Sequence, residues 1–384
     1  MKIWRRFVLV FAAAAAVFLS GGVSVNYFVD VAHVYHGDSP NAAAAVRNFV
    51  QQLHASPAGI PLPPFERVVK VELAEESRAD CFITGSSHEM RVNLKEIAEL
   101  RKHCRALMNL AVSGGSYEDF VTMAAVASKR PGAGTIYIGI SPWFFRFDAD
   151  SRYRTYEGEY AEARRYFGLE DRGVHTGSSA KLLNLINGQY FSRNVSEVIR
   201  TIEIETFDME DPDNRTKESQ LLLPDGSIRE SDEQRRYLSS RKLPDVTPTQ
   251  KNIGTYKFQG SRVDADLVRD FKSIVETLQG EKMNIIFVMS PYHPSVFACT
   301  NEAVCQWLDQ MEQQVCSLAT EMGVRVIGSY HPDRFSLTWN DFTDDHHVMR
   351  SALRRYWRNG CIERPSADAH PTTGRTVTTK LASP

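Results

Sequence analysis

The chain has almost no net charge to offer a partner. Its 384 residues carry 45 Lys and Arg against 47 Asp and Glu, a formal net charge of -2, and no basic stripe stands out along them. Nucleic acid is therefore not expected as a partner. Metal-binding patterns are also missing: the six cysteines form no CxxC pair, no His/Cys cluster has zinc spacing, and no metal site or cofactor is expected. With 42% hydrophobic and 24% charged residues, the composition excludes the disordered and coiled-coil classes and leaves room for one large α/β domain or two small ones.

Long apolar runs are confined to one place. Lys2, Arg5 and Arg6 precede an uncharged run over residues 7–29, long enough to cross a bilayer core of about 30 Å. Such a segment is either a membrane anchor or a signal peptide. The length of the run and the indifferent cleavage site over residues 18–23 favour an uncleaved single-pass anchor. The positive flank then puts the N-terminus inside and the bulk of the chain outside the cytoplasm, on the periplasmic face of a bacterial inner membrane. An even number of cysteines agrees with an oxidising compartment, although the spacing does not give the pairing.

Behind this segment, residues 30–77 contain Pro40, Pro57, Pro61, Pro63 and Pro64, which read as a helix followed by an extended tether. Short apolar runs at 81–84, 107–112, 135–140, 284–289 and 324–327 have the character of strands buried on both faces. Helical periodicity separates them at 94–104, 117–128, 264–279 and 303–322. The alternation predicts a three-layer, doubly wound α/β domain over residues 78–360 with a parallel five-stranded sheet. A long insertion, residues 142–283, interrupts it, and Leu223-Pro-Asp-Gly-Ser227 within that insertion has hairpin chemistry. Its Tyr153, Tyr156, Tyr160, Tyr166 and Phe167 suit either a core or the wall of a substrate groove. Residues 361–384 are polar and aperiodic, a disordered tail by composition.

Two short stretches carry chemistry. In Asp80-Cys-Phe-Ile-Thr-Gly-Ser-Ser-His-Glu-Met-Arg91 an apolar run breaks into Gly85 and two serines ahead of a helix-compatible segment. Ser87 would stand at the carboxyl end of a strand, where open α/β sheets bind ligands, with helix amides aimed at it. The same residues also suit an ordinary strand-to-helix turn with a capping serine. Near the other end, Trp339-Asn-Asp-Phe-Thr-Asp-Asp-His-His-Val-Met-Arg350 places Asp344 and His347 in an Asp-x-x-His spacing just before a helical run at 351–357. A serine hydroxyl becomes a nucleophile when an imidazole takes its proton and a carboxylate orients that imidazole. Asp345 and His346 are too close in sequence to form the same loop.

Taken together these residues resemble the SGNH (GDSL-like) hydrolase superfamily over roughly residues 78–358. Gly85-Ser86-Ser87 matches the first block, with serine where aspartate usually stands, and Asn109-Leu-Ala-Val-Ser-Gly114 matches the second. The third block departs: the run ending at Ile140 is followed by Ser141-Pro142, and the asparagine that supplies an oxyanion donor is missing. Within the superfamily the chain is similar to membrane-anchored DltD-like proteins of teichoic acid D-alanylation and, more distantly, to alginate O-acetylation proteins. The resemblance implies an SGNH/flavodoxin-like fold, a triad of Ser87, His347 and Asp344, and an oxyanion site from Ser87, Gly114 and Ser141. His88, Trp143 and His293 would contact the substrate. It also implies a serine acyl esterase or O-acyltransferase working on an acylated cell-surface polysaccharide or an acyl carrier, alongside other proteins of the polysaccharide pathway. A catalytically silent glycan-binding or scaffold component is the alternative, motivated by the serine at position 86 and the missing asparagine. Losing one oxyanion donor costs on the order of 3 kcal/mol, so slow hydrolysis of generic esters is expected.

Overall fold

The computed structural model describes residues 10–11, 19–25, 40–63, 65–146, 151–170, 195, 220–232, 236, 262–297, 302–344, 347–358 and 360–361. In chain order the elements that build the domain begin with helix α1 (Pro40–Ala55), a short strand β1 (Ile60–Pro61) and helix α2 (Glu66–Glu76). Strands β2 (Cys81–Thr84) and β3 (Leu107–Asn109) follow, then helix α3 (Tyr117–Ser128), strand β4 (Thr135–Gly139) and helix α4 (Glu157–Tyr166). A hairpin of β5 (Gln220–Leu222) and β6 (Ile228–Glu230) precedes helix α5 (Ala265–Gly280) and strand β7 (Asn284–Met289). Helix α6 (Glu302–Glu321), strand β8 (Arg325–Gly328) and helix α7 (Arg350–Tyr356) complete the fold.

Five of these strands form one parallel sheet in the order β3-β2-β4-β7-β8. The apolar runs that predict them are buried on both faces because alternate side chains point to opposite layers. On β4, Ile136 and Ile138 enter a core shared with α1, α2, α3, α5 and α6, whereas Tyr137 enters a smaller core beneath α7. The order has a geometric consequence. From β2 the chain moves outward to β3 and then returns to the other side of β2 as β4, so the turns leaving β2 and β4 diverge and open a crevice at their carboxyl ends. Gly85-Ser86-Ser87 and Ser141 both lie there.

Three expectations need correction. Of the expected tether over residues 30–77, the described part from residue 40 on is not extended: α1 and α2 bury Val46, Phe49, Val50, Leu53, Val69 and Leu73 in the main core. Residues 94–104 do not form the expected helix, only turns and a 3-10 helix at Leu100–Lys102. Asn93 Oδ1 accepts from the amides of Lys95 and Glu96 as a helix cap would, yet the chain beyond continues in turns. At the far end, Cys361 is not loose but disulfide-bonded to Cys316 on α6. The remainder of the expected disordered tail, residues 362–384, lies outside the described residues.

The insertion contributes the β5–β6 hairpin, which joins β1 in a small antiparallel sheet. It also contributes α4, and Tyr153, Tyr156, Tyr160 and Phe167 are core residues rather than groove walls. Of the expected membrane-spanning run only residues 10–11 and 19–25 are described, and these are helical; among the described residues no helix is long and apolar enough to cross a membrane.

A second disulfide joins Cys81, at the start of β2, to Cys104, which lies 23 residues later. Crosslinking a loop of that size restricts the unfolded chain by about 3 kcal/mol. Replacing both cysteines by serine should lower the free energy of unfolding by about that amount in chemical denaturation. An unchanged midpoint would show that the crosslink contributes nothing.

Candidate active site

The turn that carries Ser87 is shaped by what surrounds it rather than by a helix. After Thr84 the chain turns at Gly85, whose φ of +144° suits glycine alone, and residues 87–91 form successive turns instead of the expected helix. Asn109 holds these turns from a distant part of the chain: its Nδ2 donates to the carbonyls of Glu89 at 2.8 Å and Val92 at 2.9 Å, while Val92 N also donates to the Glu89 carbonyl. The amide of Ile228 takes the Met90 carbonyl. The segment that follows Ser87 is therefore built from turns.

Residues 341–349 form a tight loop that faces this turn. Thr343 N donates to the His347 carbonyl at 2.8 Å, and Phe342 bridges Val348, which brings Asp344 and His347 to the same side of the loop. Asp344 receives the backbone amide of His347 at 2.7 Å and its Nδ1 at 2.8 Å. The other ring nitrogen, Nε2, lies 2.8 Å from Ser87 Oγ. A carboxylate at Nδ1 keeps the ring proton there and leaves Nε2 to accept from the serine. The structure thus brings Ser87, His347 and Asp344 together with His347 in the orientation a general base requires. Asp341 is committed elsewhere, receiving Thr338 N and Oγ1 and pairing with Arg355. Asp345 and His346 lie outside the described residues.

The loop at 112–115 packs directly on the nucleophile turn. Val112 N donates to the Gly85 carbonyl, and a Cβ on Gly115 would lie 2.2 Å from that same oxygen. Gly114 adopts a φ of +59° in this loop. Helix α2 clamps the residue before it: Glu66 Oε1 accepts from Ser113 N at 2.8 Å and Arg67 Nη2 donates to the Ser113 carbonyl at 2.9 Å. Lys70 donates to the Ala111 carbonyl from a fully buried position, and that burial lowers its pKa to about 8. Arg67 is itself fixed by Asp119, which closes the capping box of α3 with Ser116. Desolvation opposes the charge on Arg67, but Asp119 more than compensates and holds its pKa above the usual value.

The other expected site residues fall into different roles. Ser141 Oγ donates to Ser86 Oγ at 2.9 Å, so its hydroxyl is engaged beneath the turn instead of facing an oxyanion. Trp143 donates its indole N–H to the Gly115 carbonyl at 3.0 Å and pins the glycine loop. His88 is buried with its ring 4.9 Å from Tyr292 and 5.2 Å from His347, forming a wall beside the base. His293 is buried too, its Nδ1 accepting from Ser295 N, and its ring packs on Trp339 and Phe342 of the loop that presents Asp344.

Sequence reasoning missed Glu89. It lies completely buried beneath Ser87; Oε2 accepts from Ser86 N at 2.9 Å and Oε1 accepts from Ser290 Oγ at 2.6 Å. The fold leaves space for this carboxyl through two glycines, since a Cβ on Gly85 or Gly139 would come within 2.6 Å of it. Those glycines stand at the ends of β2 and β4, and only the fold brings them onto the Glu89 carboxyl. Burial raises the Glu89 pKa from 4.5 to about 7, with the serine hydrogen bonds opposing part of the rise.

No family model and no curated protein matches the chain. Among solved structures it is similar to one from Streptococcus pneumonia that carries the name platelet activating factor, at 10% sequence identity and a TM-score of 0.34, over 82% of this chain and 96% of that one. That likeness is too slight to carry a statement about fold or activity.

A raised carboxyl pKa favours folding while the group stays protonated. The Glu89 contribution is therefore full below the unfolded value of 4.5 and is lost as pH rises through about 7. Glu89→Gln stays neutral throughout, so its stability relative to the wild type should improve between pH 5 and pH 8 by about 2–3 kcal/mol. A difference that stays constant across that range would show that Glu89 ionises freely.

Proposed function

We propose that the chain is a serine acyl esterase or O-acyltransferase. The observation that carries this reading is the 2.8 Å approach of His347 Nε2 to Ser87 Oγ with Asp344 on the opposite ring nitrogen. Ser87 Oγ attacks the acyl carbonyl while His347 Nε2 takes its proton, and the imidazolium then protonates the departing oxygen. The acyl group now sits on Ser87 as an ester. In the second half, His347 removes a proton from water or an acceptor hydroxyl, which attacks that ester and regenerates the serine. The backbone amides of Ser87 and Gly114 are the proposed oxyanion donors. With Ser141 committed to Ser86, the asparagine of the related enzymes has no side-chain replacement in that position. Release to water is accordingly slow, and transfer to a bound acceptor is as consistent with the site as hydrolysis.

An acylated cell-surface polysaccharide or an acyl carrier is the proposed substrate. Residues 7–29 are the proposed single-pass anchor in a bacterial inner membrane, with the catalytic domain in the periplasm beside other proteins of the polysaccharide pathway. The disulfides Cys81–Cys104 and Cys316–Cys361 support an oxidising compartment.

With p-nitrophenyl acetate the protein should release a burst of nitrophenolate equal to the enzyme concentration, followed by a slow steady state. Peptide mass analysis should find the acetyl group on Ser87, and Ser87→Ala should show neither burst nor adduct. His347→Ala should slow acylation by roughly 10²–10⁴-fold. No acetyl adduct on folded protein would contradict the reading.

The engaged Ser141 hydroxyl also favours a second reading, a catalytically silent glycan-binding or scaffold component. In cells, full retention of polysaccharide acylation by Ser87→Ala, Asp344→Ala and His347→Ala would establish it. Loss of acylation in all three would exclude it.

A further inference from the structure

The proposed nucleophile and base arrive from opposite ends of the chain, 260 residues apart, yet they meet at hydrogen-bonding distance. Something must hold the two supports in register. The turn that carries Ser87 leaves β2, and the loop that carries His347 runs directly into α7. Between these supports lies a continuous chain of buried polar groups. Ser141 Oγ donates to Ser86 Oγ; Ser86 N and Oγ donate to Glu89 Oε2 at 2.9 and 3.4 Å; Ser290 Oγ lies 2.6 Å from Glu89 Oε1 and 3.2 Å from the Tyr356 hydroxyl on α7. Glu89, Ser290 and Tyr356 are all buried, so water does not complete these contacts from outside.

We propose that Glu89 is a positioning residue for catalysis, tying the Ser86–Ser87 turn to the Ser290–Tyr356 pair so that Ser87 Oγ stays aligned on His347. This rests on the reading of Ser87 as the nucleophile. Glu89 does not touch the reacting atoms. It acts through Ser86 on one side and through α7 on the other, with the ends of β2, β4 and β7 closing around it.

The two oxygens of the carboxyl have different tasks. Oε2 faces the Ser86 amide, which can only donate, and so Oε2 must remain an acceptor. When Glu89 is protonated the proton sits on Oε1 and is given to Ser290 Oγ, whose own hydroxyl then turns to Tyr356. A glutamine reproduces this arrangement, with its carbonyl toward Ser86 and its amide toward Ser290. Methionine fills the same volume but can make none of these hydrogen bonds. A residue that merely fills space would tolerate methionine, whereas a positioning residue would tolerate only glutamine.

The test compares the rate constant of the p-nitrophenyl acetate burst in the wild type, Glu89→Gln, Glu89→Met and Tyr356→Phe. Glu89→Gln should acylate within about threefold of the wild type. Glu89→Met should acylate about 10²-fold more slowly at saturating ester with little change in KM, the loss expected when reacting groups are displaced by about 1 Å. Tyr356→Phe, which removes only the link to α7, should be slowed by a smaller factor of about three to ten. Equal rates in folded Glu89→Met and the wild type would overturn the proposal, as would a glutamine variant as slow as the methionine one. If Glu89→Met does not fold, Tyr356→Phe decides: a slower burst of unchanged amplitude supports the proposal, and a wild-type rate overturns it. Absence of any acetyl-Ser87 in the wild type is a different failure, since it removes the triad itself.

Discussion

At the carboxyl end of the sheet there is no room for a methyl group. A Cβ on Gly115 would stand 2.2 Å from the Gly85 carbonyl oxygen, and one on Gly139 would stand 2.6 Å from the Glu89 carboxyl carbon. These close approaches bring the ends of β2 and β4 and the loop after β3 against one another. The turn bearing Ser87 therefore packs on the loop bearing Gly114, while Glu89 lies underneath. Without that proximity the crevice at the switch point of the sheet would be wider, and the 341–349 loop would have no fixed surface to face. Backbone spacing comes first here, and the side-chain chemistry follows from it.

Buried polar groups then hold the spacing. Arg67 and Lys70 donate to backbone carbonyls, and Glu66 Oε1 and the Glu89 carboxyl accept from backbone amides. Such groups are costly when unpaired in an apolar interior. Their hydrogen bonds hold residues 111–113 in place without a regular element there. Helix α2 is central to this, since Glu66, Arg67 and Lys70 grip residues 111–113 from a segment that precedes the sheet in sequence. Helices α1 and α2 thus share the main core with the five-stranded sheet.

Much of this was legible in the sequence. The strand positions followed from apolar runs, because a strand buried on both faces needs side chains of one kind throughout. The meeting of Ser87, His347 and Asp344 was legible from motif spacing. What could not be read was the local backbone conformation. The segment at 94–104 has helical periodicity yet folds as turns and a 3-10 helix, and Asn109, distant in sequence, fastens the Glu89 and Val92 carbonyls of the turns after Ser87. Glu89 was hidden for a similar reason. A glutamate three residues after a serine has many uses, and only the juxtaposition of Gly139 and Ser290 in space identifies it as a buried carboxyl. Ser141 was correctly placed at the end of β4, but its partner is Ser86, which periodicity does not reveal.

The central claim is that the Ser87 hydroxyl is activated by His347. Reaction of the full-length protein with a fluorophosphonate probe tests it most directly, since the probe forms a stable adduct only on a serine whose proton can be removed. Labelling should occur at Ser87 in the wild type, disappear in Ser87→Ala, and fall by roughly 10²-fold or more in His347→Ala with an unchanged melting curve. Wild-type protein that is folded but unlabelled, or labelling that persists at full rate in His347→Ala, would contradict the account.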